Sequence, residues 1–561
     1  MPPESQSTRA ACNGAVITGA SAVARALKAS GIKQVFALCG DQINSLFHAI
    51  HNAGIEIIGT RHESAAVQMA DGWARATGTP GVALVTGGPG HTNAVTGAAV
   101  AQGAQSPVLI ISGQAGKARR ERGGNQSLHQ ASIMRPVAKW AIEAEDSDSL
   151  EELTLRALVV SRTGTPGAVS LSIPVDIAEG KAASPRATIA ISEPGGTLTP
   201  SAAEVDRAAT LLFGARKPVV VIGGNAYQHS PSNELIRAVR HLGIPVFTSG
   251  QARGVIPDDG DICFGFASPL FNSTFRICSE ADAWLVIGAC VDYNISTTVS
   301  PAASVVQIHR DPRQLGVGRT LACAIASDPV PALRSLADSV THPPAAWAEW
   351  RRACQVQHRD KTAYWERLVS QSRPGNAVHP ALLCAELARH IDCDVTIVVD
   401  VGDFVNWPKA YFPACGTGRY MDGGALGNLG GAIPLGIGAQ FARPQRPVWV
   451  FTGDGGFGYH GWELSMAVQR GMPLKVIVGS DRAWGTERRL QRIKFGADIA
   501  CDLPNVRYDH FAGLLGARGL HVSTSSKLRE AVDEFIACEG PCVLDVEIMP
   551  LAGRPYANPI A

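Results

Sequence analysis

Continuous apolar runs recur along this chain and alternate with segments whose apolar residues return every three or four positions. Four of the runs cover residues 81–86, 108–112, 283–287 and 448–452. Such runs are typical of strands buried on both faces of a parallel sheet, and the amphipathic segments between them are typical of crossover helices. The pattern therefore predicts an α/β protein made of doubly wound parallel sheets.

Shifts in composition divide the chain of 561 residues. Residues 184–200 are rich in Pro, Gly, Ser and Thr, which is typical of a linker. A second boundary, which includes a Trp- and Arg-bearing helix, lies between residues 342 and 376. We predict three sheet domains and one linker: a first domain over 1–190, a middle domain over 191–345, a linker over 346–375 and a third domain over 376–561.

The apolar run at 448–452 opens a strand, helix, strand unit. A Gly453-Asp454-Gly455 turn follows it, the apolar pattern predicts a helix over 462–470, and residues 474–478 predict the second strand. Because a crossover connection brings the carboxyl ends of both strands to the same edge of a sheet, we expect Asp454 to face Ser480 and Asp481.

This edge has the chemistry of a diphosphate site. A Gly-Asp-Gly turn exposes backbone N–H groups that can bind phosphate oxygens, and an aspartate such as Asp454 can hold a hard divalent cation. The unit therefore predicts Mg²⁺ with a diphosphate.

Charge narrows the expected partners. Fifty Lys and Arg residues balance 49 Asp and Glu residues to a net charge of +1, which gives no electrostatic argument for nucleic acid or an acidic membrane surface. The polar N-terminal segment does not have the pattern of a signal peptide, and no stretch is apolar enough to span a bilayer. We expect a cytoplasmic protein with small neutral or anionic ligands.

The 13 cysteines are scattered and form no C-x-x-C pair. Reduced, mostly buried thiols are therefore expected rather than a disulfide framework or a zinc site.

Two glycine- and charge-containing motifs lie in the first domain. Arg61-His62-Glu63 follows a predicted strand, and Gly87-Gly88-Pro89-Gly90 follows the run at 81–86. With the Gly-Asp-Gly unit, they resemble the thiamine diphosphate (ThDP) enzymes, in particular the group of acetolactate synthases, benzaldehyde lyase and 2-hydroxyacyl-CoA lyases. The resemblance covers nearly the whole chain. It departs from the family at Ser480-Asp481, where Asn-Asn is usual.

The resemblance implies a ThDP cofactor held by a pyrimidine-binding first domain and a diphosphate-binding third domain. Leu429 would wedge between the two rings of the cofactor, although its glycine-rich loop could also be a simple tight turn. Mg²⁺ would take the side chains of Asp454 and Asp481 and the carbonyl of Ala483. The implied cofactor-binding residues are Glu63, Gly402, Asp403, Gly427, Leu429, Asp454, Gly455, Gly456 and Asp481.

Glu63 has the most specific implied role. A carboxyl group in an apolar pocket would hydrogen-bond to the N1′ atom of the aminopyrimidine and make its amino group basic. Taken alone, a glutamate at this position would more often interact with a helix N-terminus, for which Ser64 is the predicted cap, and it is the resemblance of the neighbouring motifs that favours the cofactor role.

Five other residues are catalytic candidates. Gln126 lies where relatives carry an active-site glutamine, with Gln130 as the second choice. Asp41 and Glu487 could move protons, or could be ordinary solvated charges. His91 and His129 could be acids or bases, but a loop histidine is more often a hydrogen-bonding filler. The five candidates are Gln126, Asp41, Glu487, His91 and His129.

The leading prediction is an acetolactate-synthase-like carboligase that acts on a 2-oxo acid. The alternatives are a 2-hydroxyacyl-CoA or acyloin lyase, a non-oxidative 2-oxo acid decarboxylase, and an inactive ThDP-binding paralogue, which Ser480 motivates. A basic cluster, defined as Arg488, Arg489, Arg492 and Lys494, could receive an anionic substrate or CoA phosphates, or be a solvated helix face.

The expected substrates are a 2-oxo acid, an aldehyde or an acyl-CoA. FAD or ADP in the middle domain is possible by resemblance, but Gly223-Gly224 and residues 309–312 are too short to establish either one. The resemblance also implies a homodimer or homotetramer whose sites lie between subunits.

Overall fold

The structure of the protein is a computed structural model. It describes residues 17–120, 122–182, 197–228, 232–371, 376–553 and 555–556. Most of the predicted linker at 184–200 and the end of the chain lie outside these ranges. Within the described ranges, every helix is too short or too polar to cross a membrane.

The first sheet has six parallel strands in the order β2-β1-β3-β4-β6-β5. Its elements are α1 (Gly19–Ala29), β1 (Gln34–Ala37), α2 (Asn44–Asn52), β2 (Glu56–Gly59), α3 (Glu63–Thr77), β3 (Gly81–Val85), α4 (Pro89–Gly103), β4 (Val108–Gln114), α5 (Lys117–Arg120), α6 (Gln130–Met134), β5 (Trp140–Glu143), α7 (Leu150–Arg162), β6 (Ala168–Pro174) and α8 (Val175–Glu179).

The middle sheet also has six parallel strands, in the order β12-β11-β10-β7-β8-β9. Its elements are α9 (Ala202–Phe213), β7 (Pro218–Ile222), α10 (Gly224–Gln228), α11 (Ser232–Leu242), β8 (Val246–Thr248), β9 (Cys263–Phe266), β10 (Ala283–Ile287), α12 (Tyr293–Ser296), β11 (Ser304–His309), β12 (Cys323–Ala326) and α13 (Pro329–Ser339).

One long helix, α14 (Ala345–Ser370), connects the middle sheet to the third. Its buried tryptophans belong to different cores: Trp347 and Trp350 pack in the middle domain and Trp365 packs in the third. Most of the predicted linker is therefore a packed helix. Its last residues, 372–375, lie outside the described ranges.

The third sheet has six parallel strands in the order β14-β13-β15-β16-β18-β17. Its elements are α15 (Pro380–Ala388), β13 (Thr396–Val399), α16 (Asn406–Tyr411), β14 (Tyr420–Asp422), α17 (Ala432–Ala442), β15 (Val448–Gly453), α18 (Asp454–His460), α19 (Leu464–Gln469), β16 (Leu474–Ser480), α20 (Gly485–Phe495), α21 (Tyr508–Leu514), β17 (Arg518–Val522), α22 (Leu528–Ala537) and β18 (Cys542–Glu547).

The prediction of three parallel α/β sheets is confirmed, and each sheet falls within one predicted domain range. The domain limits themselves stay a prediction. The predicted helix at 462–470 is wrong at its start, because α18 begins at Asp454, directly after the strand. A short 3-10 turn (Gly461–Glu463) separates α18 from α19.

The first and third domains pack against each other through α3 and α17. A methyl group at Gly72 would lie 2.1 Å from the Leu435 carbonyl oxygen, and one at Gly438 would lie 2.0 Å from the Met69 carbonyl oxygen. The two helix backbones can approach so closely only because these residues are glycines. One apolar core therefore continues across both domains.

One disulfide joins Cys393 to Cys415, with 5.1 Å between their Cα atoms. The expectation of reduced thiols is wrong for this pair and holds for the ten other described cysteines, which are free. The cysteines meet because Cys393 lies just before β13 and Cys415 follows the helix α16 that leads back from that strand. Cysteine spacing alone does not reveal such a pairing.

Candidate active site

A cavity of about 480 Å³ opens at the carboxyl edge of the third sheet. We call it the cofactor cavity, because most of the predicted cofactor-binding residues line it. There β15 and β16 run in register, with Gly453 opposite Gly479. The walls come from the loops after β13, β15 and β16 and from the turn before α17. They include ten residues predicted from the sequence, which are Gly402, Asp403, Gly427, Leu429, Asp454, Gly455, Gly456, Asp481, Ala483 and Glu487.

Asp454 is the buried first residue of α18. Its Oδ1 accepts a hydrogen bond from the Gly455 N–H at 2.8 Å, and its Oδ2 accepts one from the Arg482 N–H at 2.7 Å. Burial raises the pKa of this carboxyl group, and the backbone donors partly oppose the rise. Arg482 has a φ of 58°, so the loop after β16 bends back to reach Asp454.

Asp481 lies beside Asp454. Burial, and then repulsion from Asp454, raise the pKa of Asp481 to about 6. Two neighbouring carboxylates that resist ionisation together are a suitable environment for a divalent cation, which would neutralise both. With the carbonyl of Ala483 they form an all-oxygen donor set, so the residues present fit Mg²⁺ and a diphosphate.

Ser480 departs from the usual asparagine, and its environment shows how it is accommodated. Its side chain is buried, and its hydroxyl group lies 3.5 Å from Asp454 Oδ2. The serine therefore keeps a long contact with Asp454, whose carboxylate is held mainly by backbone N–H groups.

Glycine is required in the turn after β15. A methyl group at Gly455 would lie 2.2 Å from Cζ3 of Trp484, and one at Gly456 would lie 2.6 Å from the Thr452 hydroxyl oxygen. The Trp484 ring and the end of β15 therefore pack directly against this turn, which leaves no room for a larger residue at either position.

Asp400 is a buried carboxylate that the sequence analysis missed. Its Oδ1 accepts from the Gly430 N–H at 2.8 Å and from the Val401 N–H at 2.9 Å, and its Oδ2 accepts from the Thr452 hydroxyl at 2.8 Å. Burial raises its pKa to about 6. Asp400 thus ties the loop of Gly427 and Leu429 to two strand ends of the cavity.

Asp403 is held by α20, the helix that follows the loop after β16. Its carboxylate accepts from the Thr486 hydroxyl at 2.9 Å and from the Arg489 guanidinium at 3.2 Å. Gly402, with a φ of 130°, adopts a backbone conformation that favours glycine and leaves the space beside it open.

Glu63 lies at the other candidate half-site, on the carboxyl edge of the first sheet. It is the buried first residue of α3, and its Oε2 accepts a hydrogen bond from Asn93 Nδ2 at 3.0 Å. The predicted cap is wrong: His62 caps this helix by accepting from the Ser64 N–H at 3.0 Å. A methyl group at Gly90 would lie 3.2 Å from Glu63 Oε1, so the glycine-rich turn reaches the carboxylate.

Gln126 and Gln130 approach the same turn. Gln126 has a φ of 59°, and a methyl group at Gly88 would lie 2.7 Å from its Cβ. Gln130 is fully buried, and its Oε1 accepts from the Gly88 N–H at 2.9 Å. Gln130 therefore braces the turn, and Gln126 stays the candidate for substrate contact.

His91 is buried with both ring nitrogens engaged. Nδ1 lies 3.0 Å from the Ser112 hydroxyl oxygen and Nε2 lies 3.0 Å from the Gln130 carbonyl oxygen. Burial lowers its pKa to about 4, which keeps the ring neutral at physiological pH. This environment is that of a structural histidine, and its catalytic role stays a prediction.

The remaining candidates are exposed. Asp41 begins a short 3-10 turn after β1, His129 precedes α6, and Glu487 lies in the first turn of α20 at the rim of the cofactor cavity. Their roles stay predictions.

The two half-sites are separate within one chain. All residues described around the cofactor cavity belong to the third domain except Phe271 of the middle domain, and Glu63 is not among them. The first domain thus offers a buried carboxylate, and the third domain offers a cavity lined by the residues predicted to bind a diphosphate, at different places in the subunit.

Comparison with known proteins identifies the class. Three family models match: "Thiamine pyrophosphate enzyme, N-terminal TPP binding domain" over residues 17–133, its central domain over 205–336, and its C-terminal TPP binding domain over 400–546. The chain belongs to the ThDP-dependent enzyme family, and it is a carboligase or lyase that makes or breaks carbon–carbon bonds.

Two groups of relatives align over most of the chain. The probable acetolactate synthase of Mycobacterium bovis is 32% identical over 552 residues, covering 96% of this chain and 97% of that protein, and the acetolactate synthase large subunit IlvG of Mycobacterium tuberculosis matches equally. The 2-hydroxyacyl-CoA lyase 2 of Bos taurus is 30% identical, covering 91% of this chain and 86% of that protein.

Proposed function

We propose that the protein is a ThDP- and Mg²⁺-dependent carboligase that joins two 2-oxo acids with loss of CO₂, in the manner of an acetolactate synthase. The observation that favours a small acid over a CoA thioester is the pairing of the basic cluster. In the sequence, the basic cluster was the feature that could have bound the phosphates of CoA.

Its three arginines already have carboxylate partners. Arg488 pairs with Asp498 at 3.3 Å and also with Asp502, Arg489 pairs with Asp403 at 3.2 Å, and Arg492 pairs with Asp498 at 3.0 Å. A cluster neutralised in this way offers little attraction to the several phosphate charges of CoA. A substrate with one carboxylate needs no such field.

Bound ThDP supplies a carbanion at C2 of its thiazolium ring, and the residues of this chain would hold it. Glu63 would hydrogen-bond to N1′, and the Gly427 carbonyl and Leu429 N–H would bind the aminopyrimidine. Leu429 would enforce the bent shape of the cofactor. Asp454, Asp481 and the Ala483 carbonyl would hold Mg²⁺ on the diphosphate.

Gln126 would orient the substrate carboxylate by a hydrogen bond from its amide group, since Gln126 lies against the turn that reaches Glu63. Asp41 and Glu487 would exchange protons with the substrate oxygen at the mouth of the site. Both are exposed in the single chain, so a second subunit would have to enclose them.

We also propose that the active site forms between two subunits, in a homodimer or a homotetramer. The separation of Glu63 from the cavity of Leu429 and Asp454 supports this arrangement. A cytoplasmic location, and FAD or ADP in the middle domain, stay predictions.

The test is turnover by the holoenzyme. With ThDP, Mg²⁺ and pyruvate we expect 2-acetolactate and CO₂ in a 1:1 ratio, measured by chromatography and CO₂ trapping. CO₂ with an equal amount of free aldehyde would instead assign a decarboxylase. No product from a panel of 2-oxo acids would contradict the proposal.

A lyase acting on 2-hydroxyacyl-CoA is the second candidate, favoured by the Bos taurus relative. It predicts cleavage of a 2-hydroxyacyl-CoA to an aldehyde and formyl-CoA, and stabilisation of the protein against heat by CoA. Failure of a ThDP-loaded protein on both substrate classes would leave the inactive paralogue.

A further inference from the structure

A second cavity, of about 550 Å³, lies between the middle domain, α14 and the third domain. It is separate from the cofactor cavity, with which it shares Phe271 and Lys409. Neither the proposed reaction nor the ThDP cofactor uses it. We call it the interdomain cavity. Its aromatic wall consists of Phe264, Phe266, Phe271, Trp365, Tyr411 and Phe412.

Three cationic side chains also line the interdomain cavity, and two of them are already neutralised. Arg253 pairs with Asp258 at 2.9 Å, and Lys409 pairs with Asp422 at 2.7 Å. Both pairs are further held in place by aromatic rings, since the Arg253 guanidinium lies 4.2 Å from the centroid of Tyr420 and the Lys409 ammonium lies 5.0 Å from that of Phe266.

Lys361 of α14 is the third cation. Among the residues that the structure describes, no carboxylate lies within ion-pair distance of its ammonium group. Burial lowers its pKa to about 8, and the attraction of Asp258 only partly compensates. A partly buried ammonium without a close counter-ion is unfavourable, and a bound anion would relieve it.

Two nitrogen atoms of residues in the same wall have no described hydrogen-bond partner. Nε of Arg253 is buried and has no acceptor among the described residues, although the guanidinium is otherwise paired. Nδ1 of His358 is also buried without a described partner and can donate in the appropriate tautomer.

We propose that the interdomain cavity binds a small monocarboxylate with an aromatic body. Its carboxylate pairs with Lys361, and its ring packs against the phenylalanine wall. The cavity volume is typical of small-molecule sites, roughly 300–1,000 Å³. Glu366 is an exposed carboxylate of the same wall and forms no ion pair with Lys361. A single ligand carboxylate can therefore pair with the Lys361 ammonium, whereas a polyanion would meet Glu366 and would find the other two cations already paired. The proposal concerns binding, so it holds whether or not the proposed reaction does.

The test uses 3-phenylpropionate as the probe and the ThDP- and Mg²⁺-loaded enzyme as the protein. Isothermal titration calorimetry should give one site per chain, and the fluorescence of Trp365 should change on binding. Lys361→Met should weaken binding at least tenfold. Arg359→Met removes a positive charge from the exposed face of the same helix and should bind the probe as the unchanged protein does.

Two further experiments show whether the probe binds in the interdomain cavity. Neutral 3-phenylpropanamide should bind at least tenfold more weakly than the acid, and Lys361→Met should not alter its affinity. Ala385→Leu, which fills part of the cavity and keeps Lys361, should also abolish binding of the acid. Saturating pyruvate should leave the titration unchanged.

Equal affinity of the acid for the unchanged protein and Lys361→Met would overturn the proposal. So would displacement of the probe by pyruvate, which would place it in the cofactor cavity. Thermal unfolding of each variant, compared with that of Arg359→Met, shows whether a lost signal reflects lost binding or lost structure.

Discussion

Asp400 is the residue on which the shape of the cofactor cavity depends most. Its two oxygens connect the loop of Gly430, the end of β13 and the end of β15 by hydrogen bonds. A buried acceptor with three donors holds all three segments in one geometry, and removing part of it leaves a donor unmatched.

Asp400→Asn should therefore weaken ThDP binding. The amide nitrogen cannot accept from the Thr452 hydroxyl, and the loss of one buried, charge-assisted hydrogen bond costs about 1–3 kcal/mol, or roughly tenfold in the dissociation constant. Titration calorimetry at saturating Mg²⁺ measures it. The control is Asp394→Asn, at a half-buried aspartate that precedes β13 and pairs with Arg419 and Arg446 away from the cavity; it should bind ThDP normally. Equal affinities of the two variants would contradict the role of Asp400.

Gly455 offers a steric test at the same cavity. In Gly455→Ala the new methyl group would lie 2.2 Å from the Trp484 ring, so the ring or the diphosphate turn must move. Overpacking of this kind costs about 1–3 kcal/mol, and ThDP affinity should fall by at least tenfold. The loss should be smaller when Trp484→Ala is also present. Gly458→Ala, in the same helix with open space around its Cβ, should have little effect. An equal loss with and without Trp484 would show that the ring is not the cause.

At the scale of elements, α3 is positioned by the third domain. Glu463, in the 3-10 turn before α19, accepts a hydrogen bond from the Arg61 N–H at 2.9 Å, two residues before Glu63. Burial raises the pKa of Glu463 to about 7. The protonated carboxyl group is thus favoured in the folded state, and folding stability from this group declines as the pH rises from about 4.3 to about 7.

Glu463→Gln should remove this pH dependence. Urea titrations at pH 5 and at pH 8 measure the free energy of unfolding of both proteins. The decrease between the two pH values should be about 3 kcal/mol smaller for the variant than for the unchanged protein. Glu530→Gln, at an exposed position of α22, should keep the full dependence. A variant as pH-dependent as its control would contradict the account of Glu463.

The disulfide stabilises one loop of the third domain. Cys393 and Cys415 enclose a loop that contains β13, Asp400 and α16. Replacing both cysteines with alanine should lower the free energy of unfolding by about 3 kcal/mol, because the unfolded chain gains freedom, and a reductant should then have no further effect. Cys39→Ser, at an exposed free cysteine, should keep its sensitivity to reductant. A reductant that leaves the unchanged protein as stable as before would argue against the bond.

Local pattern was sufficient to predict strands such as β3, β4, β10 and β15 and the Gly-Asp-Gly turn, because buried parallel strands are continuous apolar runs. It failed at the start of α18, since four of the seven residues from Asp454 to His460 are glycine or aspartate, which disfavour helices. Burial of Phe457 in the core shared by the first and third domains overrides that preference. Asp400, Glu463 and the disulfide could not be predicted because their partners are distant in sequence.

At the scale of the whole molecule, the three sheets place two incomplete half-sites and one separate cavity in each chain. The α3–α17 packing fixes Glu63 and the cofactor cavity of the same chain in different positions. We propose that a complete site is built from two chains, with the first domain of one covering the third domain of the other. This arrangement is the central claim of the proposed mechanism.

Complementation between two inactive variants tests it most directly. Glu63→Gln damages only the pyrimidine half-site, and Asp454→Asn damages only the diphosphate half-site. Each homodimer should be inactive, whereas a 1:1 mixture of co-refolded chains should recover about a quarter of the unchanged activity, because half of the dimers then contain one intact site of two. Recovery to that level, measured as ThDP-dependent product formation, is the predicted result. A mixture as inactive as its components, despite heterodimers detected by mass spectrometry, would contradict the shared site.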